Sequence, residues 1–306
     1  MILKIGTRGS KLALKQSEWV KGKIEARYPH VRVELVRIKT TGDKILDSPL
    51  SRIGGKGLFV KEIEDALLEN RVDLAVHSMK DVPAELPDRL ILSTFPERED
   101  PADALISVTG QTLDQLPPGA KVGTSSLRRG AQLLHIRPDL RLVPLRGNVD
   151  TRLRKLESGD LHAVILATAG LRRLGLSARI TQIIPFDQVL PAIGQGALGL
   201  EVRRNDAQTI NLLDFLNHEP TKIAVSAERA FLKELEGGCQ VPIAGLARLD
   251  GNELHFEGMV AELDGTKIFK EATIGVGEQA EEIGIASARR LLASGADRIL
   301  ERIYGR

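Results

Sequence analysis

The spacing of apolar residues changes period along the chain, and the changes mark out elements. Residues 4–7 read as a short strand. Leu12, Trp19, Val20 and Ile24 then recur near helical spacing, which predicts an amphipathic helix over 12–27. Residues 31–38 are β-branched and mostly period-two, the pattern of a strand. Gly54-Gly55-Lys56-Gly57 is a flexible loop feeding a helix over 60–69, and 73–77 is a buried strand. Strand and helix patterns alternate through the first two thirds. Such alternation predicts an α/β fold class, with helices on both faces of a sheet.

A second α/β unit opens near residue 102, after the charged segment Pro96-Glu97-Arg98-Glu99-Asp100-Pro101. It repeats the first. Lys4-Ile5-Gly6-Thr7-Arg8-Gly9-Ser10 has a counterpart in Lys121-Val122-Gly123-Thr124-Ser125-Ser126-Leu127, each a short strand ending in Gly-Thr before a Ser-containing turn. Asp73-Leu74-Ala75-Val76-His77 has a looser one around Ala163-Val164-Ile165. Strand-turn-helix joints also converge by chance, but a duplicated pair of similar domains is the favoured reading. The last third changes style. A helix over 221–236 runs into a loop, and three strands follow at 243–249, 254–262 and 266–273. Asp250-Gly251-Asn252 and Asp264-Gly265 mark the turns between them. With a helix near 278–293, this is a small α+β module with a three-stranded antiparallel sheet.

Composition narrows the class. Lys+Arg number 43 against 41 Asp+Glu, a net charge of +2, and aromatics are 3%. A broad nucleic-acid surface needs a basic excess and stacking platforms, so neither DNA nor RNA is the expected partner. No apolar run approaches the roughly 20 residues of a membrane span, and the first residues lack a signal-peptide pattern. The chain holds a single cysteine. A lone thiol makes no internal disulfide and no multi-cysteine metal site, so a cytoplasmic home and no metal are expected. That residue, Cys239, follows Gly237-Gly238 and precedes Pro242 by three positions, a loop context. Burial is the ordinary fate of a cysteine. The glycine loop favours the other reading, an accessible reactive sulfur.

The strand-to-helix joints carry further candidate chemistry. Backbone N–H groups and the helix dipole at such joints favour an anion, and Ser10, Thr124, Ser125 and Ser126 add hydroxyls. Ordinary N-capping explains any one of them. Arginines change the balance: Arg8 lies in the first joint, and Arg128 and Arg129 open the second helix, where the dipole disfavours cations. Arg146-Gly147-Asn148-Val149, Arg152, Arg172 and Arg173 follow strand ends, where open α/β sheets bind ligands. Together they predict a cleft for a ligand with several carboxylates, since arginine forks pair with such groups and no Gly-x-x-x-x-Gly-Lys-Ser/Thr loop is present. His77-Ser78-Met79-Lys80-Asp81-Val82-Pro83 is a strand-end loop. Its Lys80–Asp81 pairing is either a solvated surface pair or an aspartate poised to stabilise a cation and move protons.

Taken in order, Gly6-Thr7-Arg8-Gly9-Ser10-Lys11-Leu12-Ala13-Leu14, Gly54-Gly55-Lys56-Gly57-Leu58-Phe59, His77-Ser78-Met79-Lys80-Asp81-Val82-Pro83, Gly123-Thr124-Ser125-Ser126-Leu127-Arg128-Arg129, Arg146-Gly147-Asn148-Val149, Gly194-Gln195-Gly196-Ala197 and Gly237-Gly238-Cys239 resemble the porphobilinogen deaminase family over essentially the whole chain. The resemblance implies two α/β domains like those of periplasmic binding proteins, residues 1–98 with 196–216 and residues 99–195. A third domain, 217–306, would carry Cys239. It implies a transferase of tetrapyrrole biosynthesis, a monomer, with a dipyrromethane cofactor on Cys239 through a thioether. Four porphobilinogens would be deaminated and added head to tail, and hydrolysis would release 1-hydroxymethylbilane. Asp81 would be catalytic. Lys80, Thr124, Ser125, Ser126, Arg128, Arg129, Arg146, Gly147 and Arg152 would hold the cofactor with it. Arg8, Ser10 and Arg173 would contact substrate, and Lys56 and Phe59 would lie on a loop over the cleft. A non-enzymatic binding protein for a dicarboxylate also explains the cleft and the arginines. It leaves the cysteine-bearing module and the Asp81 loop unexplained.

Overall fold

The computed structural model of the chain describes residues 1–44, 57–237 and 241–305. In chain order the strands are β1 (Ile2–Thr7), β2 (Arg32–Arg37), β3 (Leu74–Ser78), β4 (Leu90–Thr94), β5 (Asp103–Ser107), β6 (Lys121–Gly123), β7 (Arg141–Val143), β8 (Ala163–Ala167), β9 (Gln182–Ile183), β10 (Leu198–Arg203), β11 (Ile243–Asp250), β12 (Glu253–Ala261) and β13 (Ile268–Val276). The helices used below are α1 (Lys11–Arg27), α2 (Lys61–Leu68), α3 (Leu127–Ile136), α4 (Val149–Glu157), α5 (Thr168–Arg173), α6 (Glu219–Glu234) and α7 (Ala280–Leu291).

Two five-stranded sheets repeat one pattern. The first has the order β2-β1-β3-β10-β4 and the second β7-β6-β8-β5-β9. In each, the first three strands are parallel and the fourth is antiparallel to both neighbours. The antiparallel strand is always the one that has just arrived from the other sheet: β5 follows β4, and β10 follows β9. This is the duplicated α/β architecture that the Gly-Thr repeats predicted. The central parallel strands β3 and β8 are buried on both faces, so their runs are nearly continuous in apolar residues. Helix α1 starts where Ser10 Oγ accepts from Ala13 N, and it lays Val20 and Ile24 onto Leu3 and Ile5 of β1.

The two crossovers, 95–102 and 184–197, run side by side. Arg98 Nε donates to Gln195 O at 2.8 Å, and Gln195 Nε2 donates to Pro101 O at 2.7 Å. Gly196 sits at φ +87°, and a Cβ there would stand 2.2 Å from Glu99 O, so only glycine fits.

The final module is an antiparallel sheet, β11-β12-β13, packed against α6 and α7. Phe231 and Phe256 meet in its core with centroids 5.0 Å apart. The sequence placed the third strand at 266–273; it starts and ends later, at Ile268–Val276. Strand β7 stops at Val143, because Leu145 turns to exchange hydrogen bonds with Ser125 Oγ. Among the described residues no helix is long and apolar enough to cross a membrane.

Candidate active site

The joints at the carboxyl ends of the parallel strands do cap helices. Ser10 caps α1, Ser126 Oγ accepts from Arg129 N, and Asn148 Oδ1 accepts from Thr151 N at 2.9 Å to start α4. Thr124 Oγ1 accepts from Ser126 N at 3.2 Å. Ser125 links its loop to the next through Leu145, which brings Arg146 and Gly147 beside the second joint. Gly147 adopts φ +104°, letting the chain turn sharply into α4, and its carbonyl accepts from Arg152 Nε at 2.9 Å.

These loops bring most of the expected residues into one electrostatic group. The field at Lys80 comes from Asp81, Arg129, Asp103 and Arg128; that at Arg152 comes from Arg129, Asp81 and Arg146. Lys80 and Asp81 lie on the single helical turn Met79–Asp81 that leaves β3 of the first sheet, and the arginines lie on the second domain. Burial pulls Lys80 down to about 8, with Asp81 opposing the shift. Burial also pulls Arg152 down to about 10, leaving it charged at neutral pH. Five cationic side chains thus face Asp81 and Asp103. Among the described residues Asp81 and Arg146 make no side-chain hydrogen bond or ion pair.

Asp103 is the residue that sequence reasoning missed. Cations at the start of α3 favour an anion nearby, and part of that anion is internal. Asp103 is fully buried and accepts from Arg129 Nη2 at 2.6 Å and from Gln195 Nε2 at 2.9 Å, and Arg128 Nη1 stands 2.7 Å away. Burial alone would raise its carboxyl; the Arg128 and Arg129 charges reverse that and hold it well below the usual range. Arg129 Nη1 also donates to Ile165 O, and Arg128 Nη1 to Leu190 O. The signal was faint: an acid opening an otherwise apolar strand, Asp103-Ala104-Leu105-Ile106.

Three expected substrate residues stand apart from that group. Arg8 is engaged by Asp43 at 2.5 Å and stacks over Phe59 at 4.2 Å. Ser10 spends its hydroxyl on the α1 cap. Arg173 donates to Gly196 O of the return crossover at 2.6 Å. Lys11 of α1 reaches Asp150 of α4 at 2.6 Å, so the two α/β domains touch beside the site. Lys56 and Cys239 lie outside the described residues. The flanks of Cys239 are placed: Tyr304 Oη donates to Glu236 O at 2.9 Å, and Val241 is buried at the entry to β11. Gly245 of β11 donates to Pro191 O, next to the Leu190 carbonyl that Arg128 holds. The described residues contain no cluster of three or more His, Cys, Asp or Glu arranged for a metal.

Fold and site define an α/β protein in which cationic side chains surround an aspartate that makes no hydrogen bond or ion pair among the described residues. Comparison with known proteins narrows this. The family model "Porphobilinogen deaminase, dipyromethane cofactor binding domain" matches residues 3–211, and "Porphobilinogen deaminase, C-terminal domain" matches 222–293. Porphobilinogen deaminase of Geobacter sulfurreducens is 57% identical over 304 residues, covering 99% of this chain and 95% of its own. That of Nitratidesulfovibrio vulgaris is 56% identical over 308 residues, covering 99% and 97%. The solved methionine binding protein MetQ is similar over 69% of this chain and 88% of its own, at 15% identity and a TM-score of 0.43. The chain belongs to the porphobilinogen deaminase family. The site fits the cofactor of that family: a dipyrromethane bears several carboxylates, and the cluster has more cations than internal carboxylates to meet them.

Proposed function

We propose that this chain joins four porphobilinogens head to tail on a dipyrromethane cofactor held by a thioether to Cys239, and then releases 1-hydroxymethylbilane by hydrolysis. The observation that carries the reading is the cationic group from two domains converging on Asp81, a carboxylate without a hydrogen bond or ion pair among the described residues. When bound, the cofactor supplies the pyrrole terminus to which each new unit is joined.

The protein's own residues divide the remaining work. Lys80, Thr124, Ser125, Ser126, Arg128, Arg129, Arg146, Gly147 and Arg152 bind cofactor carboxylates, with Asp81 beside them. Arg128 and Arg129 are held in place by Asp103 while doing so. Arg8, Ser10 and Arg173 receive the incoming substrate, whose acetate and propionate suit arginine forks. Lys56 and Phe59 lie on a loop that covers the cleft. As the substrate's C–N bond breaks, ammonia leaves with the bonding pair and positive charge spreads over the pyrrole. Asp81 stabilises that charge. After the new C–C bond forms, Asp81 accepts the displaced ring proton and passes it on. The domain limits are 1–98 with 196–216, 99–195, and 217–306. The protein acts as a monomer in the cytoplasm, with no nucleic-acid or membrane partner.

The test is the mass of the denatured protein. Two deaminated pyrrole units should appear on the Cys239 peptide, and Cys239→Ser should carry none. If apo-protein incubated with porphobilinogen gains no covalent mass at Cys239, the attachment is wrong. Asp81→Asn should keep the adduct and lose about a hundredfold in turnover; normal turnover would remove Asp81 from the mechanism.

A further inference from the structure

The turn that presents Asp81 is held at both ends. On the entering side stands His77, four residues earlier on β3 and buried. Its Nε2 lies 2.8 Å from Glu201 Oε2. Glu201 belongs to β10, the strand that begins directly after the return crossover. β10 pairs antiparallel with β3, Gly199 opposite His77 and Glu201 opposite Ala75. The two side chains therefore rise from one face of adjacent strands, one pleat apart. On the leaving side stands Arg229 of α6, in the third module. Its Nη2 donates to Pro83 O and Ala84 O, each at 2.9 Å.

Glu201 touches the first anchor directly and acts on the second through its charge alone. Arg229 is buried enough to be pulled down to about 10, and the Glu201 charge opposes that shift. Glu64 of α2 registers the same interior charge: burial, then Glu201, raises it to about 7. Glu201 itself is fully buried, and its Oε1 has no hydrogen-bond partner among the described residues. A carboxylate so placed is a poor source of stability, because desolvation offsets the attraction of its partner and an apolar pair of like volume often does better. Folding alone does not account for it.

We propose that Glu201 is a positioning residue for Asp81. Through His77 it fixes the strand end ahead of the turn, and through Arg229 it draws the third module onto the carbonyls behind the turn. The catalytic carboxylate is then clamped between two domains. The proposal rests on the role given to Asp81 above.

The experiment uses the cofactor-loaded protein as wild type, E201Q, R229Q, the E201Q/R229Q double variant and D81N. Glutamine keeps the volume and a hydrogen bond to His77 but removes the charge. E201Q should retain the wild-type cofactor mass and a thermal midpoint at or above that of wild type. Its kcat should fall about tenfold with KM within about twofold, the signature of a misplaced catalytic group. Hydrogen exchange should quicken at the amides of Met79 and Val82, which bond Ala197 O and Met79 O. R229Q should change kcat and exchange in the same direction. The double variant should be no worse than the stronger single one, because both act through one turn. Wild-type kcat with a protected turn in E201Q would overturn the proposal. So would a kcat loss that only follows lost cofactor mass or a lowered thermal midpoint. If E201Q does not fold, R229Q decides by the same readouts. A fully active D81N would sink the Asp81 reading and this proposal together; an inactive D81N beside a wild-type E201Q sinks this proposal alone.

Discussion

Lys80 and Asp103 show how single charges tune the site. Burial holds the Lys80 ammonium down to about 8. For a base lowered in the folded state, the charged form persists below that value and is lost as pH rises through it. Cys239→Ser protein, which forms no adduct, should therefore bind porphobilinogen more weakly from pH 7 to pH 9, by several-fold. Lys80→Gln should flatten that dependence and Lys80→Arg should carry the binding to higher pH, both read by calorimetry; an unchanged slope in Lys80→Gln would acquit Lys80. Asp103 is the shared counter-charge of two buried guanidiniums. Asp103→Ala leaves both without their carboxylate and should cost about 3–5 kcal/mol of unfolding free energy in urea. Asp103→Asn should cost less, because Gln195 and the arginines keep an acceptor. Glu64 titrates with the opposite sign to Lys80. Its folded value of about 7 lies above its ordinary 4.5, so its contribution is fullest below 4.5 and is lost as pH rises through 7. Glu64→Gln should raise stability at pH 8 by about 1 kcal/mol, a figure reduced for the half-exposed side chain, and should do little at pH 4.5.

The elements differ in how much of them the sequence discloses, and the reason is the range of the forces that make them. The joint of β1 with α1 and that of β6 with α3 were legible, because a Gly-Thr strand end and a serine cap act within a few residues. The hairpins of the third module were legible for the same reason, through Asp-Gly turns. Strand β10 was not predicted from its pattern. Leu198, Leu200 and Val202 alternate with Gly199, Glu201 and Arg203, which on a half-exposed strand would put Glu201 in water. The strand lies between β3 and β4 with both faces covered, so Glu201 is interior instead. The internal partner of Arg128 and Arg129 was hidden likewise: they lie on α3 and Asp103 on β5, and only the sheet order brings the two together. The arginines were legible as a set gathered at strand ends; which of them the fold itself holds was not. The crossovers contain a sharper local demand. Gly196→Ala must displace Glu99 O or abandon φ +87°, and should lose about 2–4 kcal/mol. Equilibrium unfolding within 0.5 kcal/mol of wild type would show that the crossovers slide apart freely.

At the scale of the whole molecule, three bodies meet on Glu228. Its carboxylate is fully buried and accepts from Arg98 Nη1 at 2.5 Å, Arg98 Nη2 at 3.1 Å, Gly194 N at 2.6 Å and Ala247 N at 2.9 Å. One donor lies on each crossover segment and one on β11, so a single side chain on α6 ties the third module to both connections between the α/β domains. All its hydrogen bonds are made, which distinguishes it from Glu201 and suits a structural junction. Arg98→Leu would leave the carboxylate with its two backbone donors and no counter-charge, at about 3–5 kcal/mol. The loss should appear as uncoupling as well as instability. Trp19, the one tryptophan, sits on α1 of the first domain, so its fluorescence reports that domain, whereas far-ultraviolet circular dichroism reports all three. In wild type the two unfolding curves should coincide. In Arg98→Leu they should separate, the third module melting first because it has lost the charge that fastens it. Coincident curves at an unshifted midpoint would mean that the apolar contact among Ala131, Leu190, Ala244, Leu246 and Met259 holds the module without Glu228.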